Sequence, residues 1–179
     1  MDLGYKKISV TRIDRVGIIT LNRPDIHNVL SFETFKEIDY AIKLFENDEK
    51  IKVILLKSNC GMTKNSRVFS AGINLKEYDK KFKLLEESPA EFEKLLKETR
   101  SLLSRIENIS KPVVAGVDGL AVGGAFELIL ACDLIIASDE AMFSLGEVNI
   151  GLIPGYGGVY RLLRSVGKKK AFEIVGIKL

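Results

Sequence analysis

Apolar residues along this chain recur with two different periods, and the switches between them set out the elements. Ile8 to Arg12 and Val16 to Leu21 are β-rich runs parted by the short break Ile13-Asp14-Arg15, which predicts an antiparallel hairpin. Asn22-Arg23-Pro24-Asp25 stops the second strand. From Ser31 the period lengthens: Phe32, Phe35, Ile38, Ile42 and Phe45 share one face of a helix that Ser31 is placed to cap. Ile51 to Leu56 is a continuous apolar run, the pattern of a strand buried on both faces, and a polar loop follows from Lys57 to Arg67. A second helix opens with Ser88-Pro89-Ala90-Glu91, where Ser88 is the cap, Pro89 fits the first helical position and Glu91 completes a capping box. Its stripe is Phe92, Leu95, Leu96, Leu102, Leu103 and Ile106, and Lys111-Pro112 ends it. Val113 to Val117 reads as another buried strand, Ala125 to Ala131 as a helix, and Leu134 to Ala137 and Met142 to Ser144 as short strands. This alternation predicts an α/β fold with helices crossing between mostly parallel strands, in one domain spanning 1–179.

Two glutamates interrupt the apolar pattern where a charge is costly. Glu127 follows Val122-Gly123-Gly124-Ala125-Phe126, and Glu147 follows Phe143-Ser144-Leu145-Gly146. A carboxylate in such surroundings is buried only if it is paired, protonated or used. Two of them close in space form an acid/base pair. The stretch from Ala115 to Gly124 runs a strand through a glycine-rich bend into a helix, whose free N–H groups make a site for negative charge. The guest is a developing oxyanion or a phosphate, and tight helix-strand packing is the alternative reading of those glycines. The spacing matches neither a dinucleotide fingerprint nor a P-loop. Similar bends occur at Ser70-Ala71-Gly72, with Lys76 nearby, and from Gly151 to Gly158.

Composition narrows the partners. Lys+Arg 27 against Asp+Glu 24 leaves a net charge of +3 and no polybasic tail, which argues against nucleic acid. The run Lys168-Lys169-Lys170 reads as a solvated helix start. Cys60 and Cys132 make neither a disulfide scaffold nor a zinc motif, so no metal is expected. Met1 to Arg12 mixes polar and apolar residues, unlike a signal peptide, and no apolar run has the length of a membrane span. The expectation is a soluble, cytoplasmic protein without a membrane partner.

Taken in order, Leu21-Asn22-Arg23-Pro24 with Asn28, Phe69-Ser70-Ala71-Gly72, Gly123-Gly124 with Glu127, Gly146-Glu147, and Pro154-Gly155-Tyr156-Gly157-Gly158 with Arg161-Leu162 closely resemble the enoyl-CoA hydratase/isomerase (crotonase) family. The resemblance runs from about Ile8 to Gly176. It implies a crotonase-like spiral of repeated ββα units and a homo-oligomer, a trimer or dimer of trimers. The implied reaction is reversible addition of water to a 2-trans-enoyl-CoA, giving a 3-hydroxyacyl-CoA. By motif position, the backbone N–H groups of Ile73 and Gly124 resemble the oxyanion hole. Glu127 would then orient and help deprotonate the water, and Glu147 would serve the α carbon. Contacts to coenzyme A, which is part of the substrate rather than a separate cofactor, would come from Ile26, His27, Ala71, Gly72 and Lys76. Arg161 is expected to support the Gly155–Gly158 turn. Alternatives within this frame are double-bond isomerisation, led by Glu147, and a non-catalytic acyl-CoA-binding or assembly subunit. Three departures accompany the resemblance. Asn74 stands where the family usually has aspartate, and the Cys60 to Ser66 loop looks longer than usual. Relatives also continue past the segment resembling Ala171 to Gly176 into a C-terminal helical region over the acyl pocket, which the sequence to Leu179 lacks.

Overall fold

The computed structural model describes residues 4–176, leaving aside the side chains of 80–82, 84–86 and 176. In chain order its elements are β1 (Ile8–Ile13), β2 (Val16–Leu21), α1 (Phe32–Asn47), β3 (Val53–Ser58), β4 (Gly61–Met62), β5 (Arg67–Ser70), α2 (Leu75–Glu87), α3 (Pro89–Asn108), β6 (Val113–Val117), β7 (Leu120–Val122), α4 (Gly124–Leu130), β8 (Leu134–Ala137), β9 (Met142–Ser144) and α5 (Gly158–Gly176). Met1 to Leu3 and residues 177–179 lie outside the described residues, and so do those ends of the predicted 1–179 span.

Two sheets organise the chain. One runs β1-β2-β3-β6-β8, antiparallel only at its β1-β2 hairpin; the other runs β4-β5-β7-β9. The pairs β3/β5, β6/β7 and β8/β9 each place one strand in each sheet before the chain leaves into a helix or turn. Successive units therefore stack strand on strand, Val114 beside Leu134 in one sheet and Ala121 beside Phe143 in the other. At Gly119 the chain turns from β6 to β7 with φ +79°, where an added Cβ would lie 2.3 Å from the Arg67 carbonyl oxygen. Only glycine fits there.

One continuous apolar cluster lies between the sheets and helices. Phe35, Ile38, Ile42 and Phe45 bury the predicted face of α1. The cap on that helix is reciprocal: Ser31 Oγ accepts from Thr34 N at 3.1 Å, and Thr34 Oγ1 accepts from Ser31 N at 3.2 Å. Ser31→Ala is expected to destabilise the fold by about 1 kcal/mol, since one orphan N–H loses its acceptor. Urea unfolding would show a lower midpoint with an unchanged slope.

Three expectations need correction. Ser88 makes no side-chain cap; its carbonyl, not its hydroxyl, takes Glu91 N at 3.1 Å. It directly follows α2 at φ −150° and ψ 80°, outside the helical region that Pro89 disfavours for it, so it serves as the hinge between two helices. The strand predicted from Ile51 begins at Val53, and Val53 and Leu55 are only half-buried, so one face of β3 is incompletely covered. The polar loop to Arg67 contains β4, which pairs with β5. In contrast, Lys168 to Lys170 are exposed just after Gly167, whose non-helical backbone breaks α5, as a solvated helix start requires. β8 lies exposed at the edge of its sheet, showing Leu134 and Ile136; Ile153, Tyr160 and Phe172 are also exposed. Among the described residues, no helix is long and apolar enough to cross a membrane.

Candidate active site

Glu127 sits in the first turn of α4, a helix whose residues Gly124 to Ile129 are all buried. Its side chain is 1% exposed. Oε1 accepts two backbone donors, Tyr156 N and Gly158 N, each at 2.8 Å. Oε2 has no protein donor among the described residues. Burial pushes this carboxyl above its ordinary range, while the two N–H groups and the charges of Arg161 and Arg100 pull it back. Position 158 must be glycine for this cradle to form, because a Cβ there would lie 2.5 Å from Glu127 Cγ.

Glu147 arrives from the other side, in a short 3-10 turn, Gly146–Ile150, that follows β9. It is 8% exposed, and its Oε2 is buried without a partner. Burial, with the nearby Glu127 carboxylate adding to it, raises its pKa from 4.5 to about 7. Gly123 packs directly against this carboxylate: a Cβ on it would meet Glu147 Oε1 at 2.9 Å. Ser144 Oγ is buried and unpartnered in the same segment. Among the described residues Tyr5 OH, His27 Nδ1 and Arg161 Nε are the other buried side-chain atoms without a protein partner.

The two predicted N–H donors meet at the junction of separate elements. Gly72, at φ +86°, brings its loop so close to the end of β7 that a Cβ would lie 2.6 Å from Val122 O and 3.7 Å from Gly124 N. Leu30 N donates to Gly72 O, and Asn74 N to Leu30 O, so this bridge holds both neighbours of Ile73. The N–H of Ile73 therefore faces away from Leu30 and finds no acceptor among the described residues. Gly124 opens α4, so its N–H has no intrahelical acceptor either. Both donors are free at one spot.

Behind this loop stands Asn28, 2% exposed, which accepts from Arg23 N and donates to Asn59 O and Phe69 O. Ser70 Oγ donates to Asn28 O and accepts from Gly72 N. Of the remaining predicted residues, Ile26 and His27 are half-buried in the turn after β2, and His27 O accepts from Ala71 N at 2.9 Å. Lys76 is exposed on a separate cleft of about 340 Å³ with Lys7, Arg23 and Glu33. It makes no hydrogen bond or ion pair with the glutamates among the described residues. Asn74 Oδ1 accepts from Glu77 N, so asparagine there caps α2, a task for which an amide oxygen suffices.

The residue types of the turn from Gly155 to Gly158 do not announce its task, which is to present Tyr156 N and Gly158 N to Glu127. The signal lay in its glycines, but not the direction of its N–H groups. Arg161 supports that turn, as expected, by donating to Tyr156 O at 2.7 Å. Among the described residues, no group of three His, Cys, Asp or Glu side chains could hold a metal.

Known proteins align with this arrangement. The enoyl-CoA hydratase/isomerase family model matches residues 12–177. A probable mitochondrial enoyl-CoA hydratase of Dictyostelium discoideum is 40% identical over 161 residues, 90% of this chain and 53% of that protein. The 2,3-dehydroadipyl-CoA hydratase of Escherichia coli is 35% identical over 170 residues, 94% of this chain and 61% of that protein. In structure, an enoyl-CoA hydratase from Shewanella pealeana superposes with a TM-score of 0.83 at 31% identity, covering 97% of this chain and 62% of that one. The chain thus spans between half and two thirds of the length of each. With the two-sheet spiral and the motifs in one register, the chain belongs to the enoyl-CoA hydratase/isomerase family and has its α/β crotonase-like fold.

Proposed function

We propose that this chain carries the core domain of an enoyl-CoA hydratase. The observation that carries this reading is the pairing of two buried glutamates, one cradled by backbone donors and one with a bare oxygen, beside two unpartnered N–H groups. The thioester carbonyl oxygen of a 2-trans-enoyl-CoA binds Ile73 N–H and Gly124 N–H. As water adds to the β carbon, negative charge moves onto that oxygen. Preorganised donors in a dry site contribute roughly 3–4 kcal/mol each to such a transition state. Glu127 Oε2 orients the water and takes its proton, while Glu147 gives its own proton to the α carbon on the same face. The net result is syn addition, with one proton moved from Glu147 to Glu127.

Ile26, His27, Ala71, Gly72 and Lys76 contact coenzyme A, which enters with the substrate, so no separate cofactor is required. The exposed apolar residues of β8 and α5 support assembly as a homo-oligomer, a trimer or dimer of trimers. A cytoplasmic location completes the proposal. The direct test is ultraviolet absorbance of the conjugated thioester after adding the protein to crotonyl-CoA. A fall to the hydration equilibrium supports the reading; unchanged absorbance with intact thioester binding overturns it for this chain.

The pH dependence follows from the pair. Hydration starts with Glu127 ionised and Glu147 protonated, and ends with the reverse, so the active state holds one proton between them. Because the reaction takes up no net proton, kcat/KM for hydration and for dehydration must share one profile. That profile is expected to be bell-shaped, falling above about pH 7 as the shared proton leaves Glu147. Initial rates in both directions from about pH 5 to about pH 9 check it.

A further inference from the structure

Three consecutive carbonyls of the turn that cradles Glu127, those of Gly155, Tyr156 and Gly157, accept from Arg100 or Arg161. Arg100 on α3 donates through Nε to Gly155 O at 2.9 Å. Arg161 on α5 donates through Nη1 to Tyr156 O at 2.7 Å and through its backbone N–H to Gly157 O at 3.1 Å. Two of these carbonyls share a peptide unit with a donor to Glu127: Gly155 C=O with Tyr156 N–H, and Gly157 C=O with Gly158 N–H. A hydrogen bond to a carbonyl polarises its peptide unit and strengthens the N–H on the other side. An ionised donor does so most.

The clamp is itself anchored. Arg161 is 8% exposed, and its Nη2 donates to Glu107 Oε2 on α3 at 2.6 Å. Gly157, at φ +93°, allows the approach, since a Cβ there would lie 2.6 Å from Arg161 Nη1. Both arginines therefore tie the turn to α3, directly or through Glu107.

We infer that Arg100 and Arg161 are positioning residues for Glu127, acting through the Gly155–Gly158 turn to hold its carboxylate against the substrate. Neither arginine hydrogen-bonds Glu127; each holds the backbone that does. The charged and titratable groups that face Glu127 are these two arginines, Glu147 from the turn after β9, and the phenols of Tyr78 and Tyr156, which are hydrogen-bonded to each other at 3.2 Å. Of these, only the arginines favour the ionised carboxylate. The kinetic part of this inference rests on the hydratase reading; the positional part rests on geometry alone.

The test compares Arg100→Gln and Arg161→Lys in the full chain. Its readouts are the carboxyl ¹³C titration of Glu127, assigned with Glu127→Gln, and kcat on crotonyl-CoA. Arg100 is exposed, so its variant is expected to melt near the wild-type temperature. Its Glu127 titration moves to higher pH, and kcat falls about tenfold, the size of one charge-assisted hydrogen bond. Arg161→Lys keeps a charge but cannot span Tyr156 O and Glu107 together, so its titration moves less and kcat falls about 10²-fold through misplacement. In a Glu127→Gln background neither change lowers kcat further. An unmoved Glu127 titration in Arg100→Gln, or full additivity with Glu127→Gln, overturns the inference. If the wild type hydrates no enoyl thioester, the hydratase reading fails and the titration alone decides the positioning role.

Discussion

Glu147→Gln is expected to lower hydration turnover roughly 10²–10⁴-fold, the usual weight of a general acid or base, while making the protein more stable above pH 7. The two effects have one cause. Burial holds the Glu147 pKa at about 7, against 4.5 for an ordinary glutamate. Between those values the unfolded chain has released the proton and the folded chain still holds it, so stability falls as pH rises through this window. Above it the folded protein carries a buried, poorly partnered charge. Glutamine removes that charge and also the proton the α carbon needs. Thermal melts should therefore place the variant above wild type at alkaline pH, with the gap closing as pH falls toward 4.5. A Glu147→Gln variant that loses activity and also melts below wild type above pH 7 would assign Glu147 a structural role instead. Glu127→Gln is expected to lose turnover by a similar factor, because its amide oxygen still accepts from Tyr156 N and Gly158 N but can take no proton. Isomerisation of a β,γ-enoyl thioester, which moves one proton through Glu147, would survive that change. Wild-type hydration rates in both variants would overturn the assignment of the pair.

Much of the fold was legible because its signals are local. The helical period from Phe32 to Phe45 and the short apolar runs at Leu134–Ala137 and Met142–Ser144 each depend on neighbours within a few residues. What stayed hidden depends on partners far along the chain. α2, from Leu75 to Glu87, runs into α3 with a single residue between them, so the boundary between the two helices is visible only once Ser88 is seen as a hinge. The division of strands between two sheets turns on Gly119 folding against Arg67, a contact no periodicity encodes. The site divides in the same way. Both glutamates stood out as charges in apolar sequence, and both are buried. The cradle for Glu127 comes from N–H groups 29 and 31 residues away, and backbone direction leaves no mark on residue type. Glycine marked the place; only the fold showed what it admits.

The tightest constraint on the site falls at Gly72, and Gly72→Ala is expected to reduce kcat about 10²–10³-fold with a smaller change in KM. Two penalties act at once. At φ +86° alanine is strained by roughly 1–2 kcal/mol, and its Cβ would sit 2.6 Å from Val122 O. That oxygen cannot swing aside, since Val122 ends β7 and leads through Gly123 into Gly124. The relief is for the Gly72 loop and the end of β7 to part. Ile73 N–H travels with one and Gly124 N–H with the other, so they no longer converge on one oxygen. Losing one such donor is sufficient for the expected fall in rate. Gly167→Ala separates strain from displacement: its φ is +76°, yet no atom lies within 4 Å of an added Cβ. That variant should lose stability and keep its kcat. If Gly72→Ala lowers kcat no more than Gly167→Ala does, the paired N–H groups of Ile73 and Gly124 do not hold the oxyanion.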